Sequence, residues 1–131
     1  MTKPMEDELT TLGVKALKSP KEVDTFLKNS GTSLIVINSV CGCGAGSARP
    51  GVKIALKNKK KPLNLGTVFA GVDLEAVAKA RSYIENYPPS SPSIALFKEK
   101  KLLAFIPREE IAGKGPEDVA EKIKEMFNKF C

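Results

Sequence analysis

The sequence contains no histidine. This absence excludes histidine-dependent catalytic triads, histidine general bases and histidine-ligated zinc sites. Cysteine is scarce as well, with three residues in a chain of 131 that is 42% hydrophobic. A chain of this size and composition can bury a core without disulfide staples. The odd number of cysteines is therefore more consistent with free, catalytic or metal-binding thiols than with a disulfide framework.

Long apolar runs are also missing. No stretch approaches the roughly 18 consecutive apolar residues that a membrane-spanning helix needs. The segment from Met1 to Leu9 carries Glu6, Asp7 and Glu8 and lacks the positive start and apolar stretch of a secretory signal. We therefore expect a cytoplasmic protein with no membrane partner.

Acidic residues are absent between Thr25 and Val72, although the net charge of the whole chain is only +6. The basic residues of this window are Lys28, Arg49, Lys53, Lys57, Lys59, Lys60 and Lys61. A basic field around Cys41 and Cys43, which lie in the window, would favour thiolates and attract anionic partners. The lysine run also fits a solvated helix end. No aromatic residue is interleaved with it, so we expect no nucleic-acid partner.

The hydrophobic pattern predicts strands that alternate with helices and end in a hairpin and a closing helix. The predicted strands are Gly13–Leu17, Leu34–Ile37, Thr67–Val72, Ile94–Phe97 and Leu102–Ile106. The predicted helices begin at Ser19-Pro20, after Cys43 with a kink or restart at Pro50, at Leu74 (to about Asn86), and at Gly115-Pro116. This order predicts a single-domain α/β fold, a central mixed sheet flanked by helices, in the order typical of thioredoxin-like domains. We divide the chain into an N-terminal segment, residues 1–18, and a domain, residues 19–131.

Helix ends and faces can be predicted in more detail. Ser19 is a suitable N-cap, and Glu22 would complete a capping box. Asp73 is a second candidate N-cap. The inward faces of the last two helices are expected to comprise Leu74, Val77, Ala80 and Ile84, and Val119, Ile123, Met126 and Phe130.

The sequence Cys41-Gly42-Cys43 follows the continuous apolar run Leu34–Ile37 and precedes a predicted helix. Open α/β sheets place active sites at the carboxyl ends of their strands. A helix N-terminus and nearby cations can lower a thiol pKa by about one unit or more. We assign Cys41, at the strand end, as the attacking thiol and Cys43, in the first helical turn, as the resolving thiol. Because the ring that this pair closes is tight, we expect either a relatively oxidising couple or a pair in which Cys43 mainly resolves mixed disulfides.

Three alternative roles for the cysteine pair stay open. The cysteines could be buried and inert, although glycines and a strand end are poor core positions. They could hold a metal ion or a cluster shared between two chains in a protein that is not an enzyme. They could also serve a general protein disulfide oxidase or isomerase. We assign no metal site and expect no tightly bound cofactor.

A proline-rich loop precedes the predicted hairpin. Thioredoxin-like domains carry a cis-proline at this place, and Pro92 is the better candidate for it than Pro89. The backbone of Ser91 would then pair with a substrate chain. We therefore assign Ser91 and Pro92, together with Gly42 and Arg49, as candidate substrate-binding residues. The terminal Cys131 is either an exposed, frayed thiol or an additional redox thiol.

Several motifs together resemble the bacilliredoxin family over nearly the whole chain. They are Val36 to Cys43, Ala48 to Gly51, Val68 to Gly71 with Asp73, Pro89 to Ser93, Phe105 to Arg108, Glu110-Ile111 with Gly113, and Cys131. Two departures are Gly44, where the family pattern has alanine, and a short segment before the first capped helix. The second departure concerns any contact made by an N-terminal helix.

The resemblance implies a thioredoxin-like thiol–disulfide oxidoreductase that removes bacillithiol from mixed disulfides on proteins. Cys41 would take up the bacillithiol, and Cys43 or a second thiol molecule would release it. Bacillithiol, or a related low-molecular-weight thiol, is then a co-substrate, and protein mixed disulfides are the partners. Bacillithiol carries a malate group, and its negative charge agrees with the basic window. The sequence leaves open whether the protein is a monomer or a weak homodimer.

Overall fold

The computed structural model describes residues 3–39, 44–84 and 87–131. The helices are α1 Lys3–Thr10, α2 Pro20–Leu27, α3 Arg49–Ala55, α4 Leu74–Ser82 and α5 Pro116–Phe130. The strands are β1 Lys15–Ala16, β2 Thr32–Asn38, β3 Asn64–Phe69, β4 Ser93–Lys98 and β5 Lys101–Ile106. A π-helical turn, Gly44–Ala48, precedes α3, and a 3-10 turn, Arg108–Glu110, follows β5.

The five strands form one mixed sheet in the order β1-β3-β2-β4-β5. β2 lies at the centre, parallel to β3 on one side and antiparallel to β4 on the other. β4 and β5 form the predicted antiparallel hairpin, and the short strand predicted within Gly13–Leu17 is confirmed as the edge strand β1. The α/β fold with a mixed sheet is thus confirmed.

Both faces of the sheet are covered, as the apolar run of β2 predicted. Leu34 and Val36 point into a core that α3 and α5 close. Ile35 and Ile37 point into a second core, closed by α2 and α4. This alternation follows from the two-residue period of a strand, and it fixes β2 so that its carboxyl end has one position relative to all flanking helices.

Glycine at position 51 permits the close packing of α3 on α5. A Cβ atom there would lie 2.7 Å from Cγ1 of Val119, closer than packed carbon atoms approach each other. The helix that follows the cysteines is therefore pinned against the longest helix of the fold.

Two of the predicted helix starts are confirmed in detail. The Ser19 hydroxyl accepts a hydrogen bond from the Glu22 amide at 3.2 Å. The Glu22 carboxylate reaches back to the amide of Lys18 at 2.8 Å, one residue before the amide that a capping box normally uses. Pro50 lies in the first turn of α3, so it restarts the helix after the π-helical turn.

The strand and helix around residue 70 differ from the prediction. β3 begins and ends three residues earlier than Thr67–Val72, because the Asn64 amide group donates to the carbonyls of Ser30 and Thr32 and so belongs to the sheet. Helix α4 ends at Ser82. The inward position predicted for Leu74 is wrong: as the first residue of α4 it is 68% exposed, and the buried face begins with Ala76.

The rest of the predicted helix faces agrees with the structure. Val77, Ala80 and Ile84 are buried, as are Val119, Ile123 and Met126, and Phe130 is half-buried. Asp73 precedes α4 as predicted, but its side chain makes no capping hydrogen bond.

The first 18 residues contribute α1 and β1. Leu9 and Leu17, one from each of the two cores, are completely buried. The boundary after residue 18 stays a prediction. None of the described helices is long and apolar enough to cross a membrane.

Candidate active site

The candidate site lies where β2 ends. The strand finishes at Asn38, Ser39 follows, and the chain is described again from Gly44. Val40, Cys41, Gly42 and Cys43 lie outside the described residues, so the geometry assigned to the two thiols stays a prediction. The residues on either side of them are described, and the contacts between these flanking residues can be given.

Arg49 joins the two flanks of the cysteine segment. It is the first residue of α3, and only 2% of it is exposed. Its Nη1 donates to Oδ1 of Asn38 and to the carbonyl of Ser39, both at 2.8 Å. The Asn38 oxygen also accepts from the Ser39 amide at 2.8 Å. The strand end before Cys41 and the helix start after Cys43 are therefore tied together through one guanidinium group.

Helix α1 completes this network, which we call the Arg49 network: Met5, Glu8, Asn38, Ser39 and Arg49. The Asn38 amide group donates to the Met5 carbonyl at 3.3 Å. Oε2 of Glu8 lies 3.2 Å from Nε of Arg49. The described contacts of the Arg49 side chain are with the protein itself, and its assignment as a substrate-binding residue stays a prediction.

Although the window between Thr25 and Val72 contains no acidic residue, acidic side chains from other parts of the chain lie close to it in the fold. Besides Glu8 at Arg49, the carboxylates of Glu6 and Asp73 both pair with Lys18, the second at 3.5 Å. Burial works to lower the pKa of Lys18, but the hydrogen bond to Glu6 and the two carboxylate charges outweigh it and raise that pKa. Glu8 therefore places an acidic group at a basic residue of the window, whereas Glu6 and Asp73 pair with Lys18, which lies outside it.

The lysine run of the same window lies at the far end of the sheet. Lys57 to Lys61 connect α3 to β3, whose first residue Asn64 pairs with Ser33 at the amino end of β2. β2 has seven residues, which corresponds to about 20 Å at 3.3 Å per residue. Since charge is screened over about 8 Å at physiological salt, this run adds little to a field at the carboxyl end of β2. The expected local basic field therefore lacks its largest contribution.

The proline-rich loop lies beside the strand end, as expected. The Ser91–Pro92 peptide bond is cis, as predicted. Ser93, the next residue, pairs with Ile37 in the last register position of β2 and β4. Pro92 is buried and Ser91 half-buried. The distance from this loop to Cys41 involves residues outside the described part.

A small cavity, which we call the proline-loop cavity, lies under this loop. It has a volume of about 60 Å³. Its lining residues are Ile37, Arg81, Ile84, Tyr87, Pro88, Pro89, Ser90, Ser93 and Phe105. Arg81 is the charged group in it. Sequence reasoning missed this residue, because nothing local distinguishes an arginine on an amphipathic helix that faces solvent from one that faces a loop.

Cys131 lies away from the candidate site. Its pKa is raised by burial, more strongly than the hydrogen bond with Thr32 lowers it. Thr32 is the first residue of β2, whereas Cys41 follows the last. A role for Cys131 as an additional redox thiol stays a prediction, and the structure places it near the opposite end of the central strand. Within the described residues no group of three or more cysteine or acidic side chains is arranged to hold a metal ion.

Comparison with known proteins places the chain in a family. A family model described as disulphide isomerase matches residues 1–131. A bacilliredoxin of Cytophaga hutchinsonii is 51% identical over 127 residues, 97% of this chain and 94% of that protein. A bacilliredoxin of Halalkalibacterium halodurans is 50% identical over 132 aligned positions, 100% of this chain and 92% of that protein. The chain belongs to the bacilliredoxin family.

Solved structures establish the fold of this bacilliredoxin independently. The oxidised thioredoxin of Plasmodium falciparum superposes with a TM-score of 0.58 at 17% identity, over 89% of this chain and 97% of that one. A reduced thioredoxin of Schistosoma mansoni gives a TM-score of 0.61 at 14% identity, over 90% and 98%. The thioredoxin-like fold expected from the sequence is confirmed. Family and fold together make this protein a thiol–disulfide oxidoreductase.

Proposed function

We propose that this bacilliredoxin removes bacillithiol, or a related low-molecular-weight thiol, from mixed disulfides on cytoplasmic proteins. The observation that carries this proposal is sequence identity: about half of the aligned residues are identical to those of named bacilliredoxins, over nearly the whole chain. The enclosed Arg49 network supports it, because it fixes the backbone on both sides of Cys41-Gly42-Cys43. A redox site needs such fixed flanks if two thiols are to meet a substrate disulfide in one geometry.

In the first step the Cys41 thiolate attacks the small-thiol sulfur of the mixed disulfide. A bond forms between Cys41 and that sulfur, and the bond to the substrate protein breaks. The substrate cysteine leaves as a thiolate and takes up a proton. The substrate protein is thereby reduced, and the small thiol is now held on Cys41.

In the second step the Cys43 thiolate attacks the Cys41 sulfur. The Cys41–Cys43 disulfide forms and the small thiol leaves as a thiolate that is then protonated. Two electrons and two protons from an external thiol reductant return the pair to the dithiol. Alternatively, a second small thiol attacks the adduct, so that a symmetrical small-thiol disulfide leaves and Cys41 is regenerated directly.

The remaining assigned residues act on the substrate or on the loop geometry. Ser91, beside the cis Pro92, offers backbone groups for pairing with the chain of the substrate protein. Gly42 lets the two near-adjacent thiols approach each other. Arg49 positions the segment, and no cofactor beyond the small thiol takes part.

The test is to offer a bacillithiol mixed disulfide to the wild type, to Cys43→Ala and to Cys41→Ser. Cys43→Ala is expected to accumulate one bacillithiol per chain on Cys41, since its resolving thiol is missing. Intact-mass and peptide mass spectrometry locate the adduct. Cys41→Ser is the matched control and is expected to leave the substrate unreduced. An adduct on Cys131 instead of Cys41 would falsify the assignment.

The family description as disulphide isomerase makes isomerase activity the second candidate. Reactivation of a protein with scrambled disulfides separates the two. The first proposal expects the rate of bacillithiol removal to exceed the rate of reactivation by at least about tenfold, because the sulfur of a small thiol is more accessible to Cys41 than a disulfide within a protein. The opposite ratio would favour the isomerase.

A further inference from the structure

The proline-loop cavity has the position of a substrate subsite. Ile37, one of its lining residues, is the last β2 residue in register with β4 and precedes Cys41 by four positions. Ser90 and Ser93 also line the cavity, and in the sequence they flank the cis Ser91–Pro92 bond. The cavity therefore touches both the strand that leads to the cysteines and the loop assigned to the substrate.

The lining of the cavity is partly apolar and partly charged. Ile37 and Ile84 are buried and apolar, and the rings of Tyr87 and Phe105 lie with their centroids 4.7 Å apart. Its mouth faces solvent, because Tyr87 is 46% exposed and the prolines next to it are exposed as well. At about 60 Å³ it holds roughly two water volumes, so it admits a terminal group of a ligand and not an entire molecule.

Arg81 supplies the positive charge of this cavity. Its Nη2 donates to the Ser90 carbonyl at 3.2 Å, which fixes the guanidinium against the loop. Its Nε is buried and has no hydrogen-bond partner within the described part of the chain. A buried guanidinium N–H without an acceptor is costly, and an entering carboxylate would satisfy it.

We propose that the proline-loop cavity is a subsite for a carboxylate group of the substrate and that Arg81 binds this group. The inference rests on the proposed function, since it concerns the small thiol or the protein chain that Cys41 attacks. Desolvation lowers the pKa of Arg81, which agrees with a guanidinium that has no carboxylate partner among the described residues.

The experiment compares two mixed disulfides of one uncharged reporter peptide. One carries mercaptosuccinate, which has two carboxylates, and the other carries 2-mercaptoethanol, which has none. The preference is the ratio of their second-order rate constants with the reduced protein. Arg81→Gln is expected to lower this preference about tenfold, the size of one charged hydrogen bond.

Lys101→Gln is the matched control. It makes the same change of net charge at the other end of β5, beside Lys98, and is expected to leave the preference unchanged. A preference that falls equally in both variants overturns the proposal. So does a preference that falls in neither variant while the reaction with the aspartate-containing reporter described below is also unchanged in Arg81→Gln. If Arg81→Gln does not fold, Arg81→Lys decides: it keeps the charge but lacks the guanidinium Nε–H, so a lowered preference supports the subsite and an unchanged one overturns it.

The carboxylate can come from the small thiol or from an acidic side chain of the substrate protein. A third reporter, with aspartates beside its cysteine and 2-mercaptoethanol as the adduct, distinguishes these sources. If Arg81→Gln lowers the rate constant for this reporter alone, the subsite binds a carboxylate of the protein chain. Failure of the proposed function is recognised separately, since wild type would then react with every reporter no faster than Cys41→Ser.

Discussion

At the scale of single residues, Arg49 shows how a charge is kept in the interior. Its guanidinium has two oxygen acceptors at 2.8 Å, and Glu8 lies within ion-pair distance. Hydrogen bonds to charged groups contribute about 1.5–3 kcal/mol each, and a buried charge that loses them becomes a net cost. The Glu8 side chain is 49% exposed, so solvent screens that ion pair and the hydrogen bonds matter more. Arg49 thus joins Asn38 and Ser39 at the end of β2 to the start of α3, as the positioning role proposed for it requires.

Replacing Arg49 by methionine is expected to slow alkylation of Cys41 by iodoacetamide about tenfold and to move its pH profile. The reason is that the Ser39 carbonyl and Asn38 lose the donor that fixes them, so the helix N-terminus and the thiol are no longer aligned. Arg49→Lys should recover part of the rate. The rate is measured from pH 5 to 9 in a Cys131→Ser background.

The control is Lys53→Met, which removes an exposed charge from the same helix. An Arg49→Met protein that is folded by circular dichroism but reacts with an unchanged pH profile would contradict the positioning role. A purely structural residue would lower the melting temperature without shifting that profile.

Local residue roles were predictable, and distant ones were not. The Ser19 cap depends on Glu22, three residues away, and the sequence alone identified it. The cis-proline was identified through the resemblance to thioredoxin-like domains. Arg49, by contrast, owes its surroundings to α1, 41 positions earlier for Glu8, and no periodicity in the sequence reports such a contact. Arg81 was missed for the same reason.

At the scale of elements, Asp24 joins α2 to two neighbours. It accepts a hydrogen bond from the Tyr83 hydroxyl at the end of α4. The ammonium of Lys100, in the hairpin turn, lies 3.0 Å from it, and that of Lys28 lies 3.2 Å from it. The Tyr83 hydrogen bond first, and then the two lysines, hold the pKa of Asp24 well below its usual range. The same hydrogen bond raises the pKa of Tyr83.

These shifts give a pH dependence of stability with a definite sign. Because the pKa of Asp24 is lower in the folded state, its contribution is complete above the unfolded value of about 3.9 and is lost as pH falls through the folded value. The contribution of Tyr83 is complete below about pH 10 and is lost as pH rises through its raised folded pKa. The difference in melting temperature between wild type and Asp24→Asn should therefore be constant from pH 5 to 9 and shrink below pH 4.

Two further variants serve as controls. Tyr83→Phe should reproduce part of the decrease in melting temperature that Asp24→Asn causes at neutral pH, and it should remove the decrease in stability at alkaline pH that ionisation of Tyr83 causes. Lys98→Gln, an exposed lysine at the other end of the hairpin turn, should have neither effect. A difference between wild type and Asp24→Asn that grows as pH falls would contradict the lowered pKa.

Elements with strong local signals were predicted well. The hairpin with its charged turn, the central apolar strand and α5 were all identified from patterning. The start of β3 was misplaced because Asn64 is a poor strand former by itself and joins the sheet through its contacts with Ser30 and Thr32. Leu74 was misassigned because periodicity alone does not show where along a helix the covering layer begins.

At the scale of the whole molecule, the two ends of the sheet differ. The carboxyl end of β2 carries the Arg49 network, the cis-proline loop and the proline-loop cavity. The amino end lies near the lysine run and Cys131. Helix α3 carries the chain from one end to the other, so sequence neighbours of the cysteines become distant in space. The family and fold were predictable because motifs recur along the whole chain, whereas the distribution of charge depended on this crossover.

The position of Cys131 allows a last prediction. About 20 Å of strand separates the level of Thr32 from that of Asn38, which precedes Cys41 by three positions, so we expect no direct exchange between Cys131 and Cys41 of the same chain. Its raised pKa also leaves a smaller thiolate fraction at neutral pH, which slows its attack on disulfides. Cys131→Ser is therefore expected to change the steady-state rate of bacillithiol removal by less than about twofold, which corresponds to about 0.4 kcal/mol.

The measurement compares Cys131→Ser with wild type at two protein concentrations tenfold apart. Equal specific rates at both concentrations are expected, because the reaction then needs only the thiols of one chain at the carboxyl end of β2. A rate that falls more than tenfold in Cys131→Ser, and that rises with concentration in wild type, would instead show that Cys131 of a second molecule resolves the adduct on Cys41. The exposed position of Cys131 at the chain end would permit such an exchange between molecules, so concentration dependence is the observation that decides between the two mechanisms.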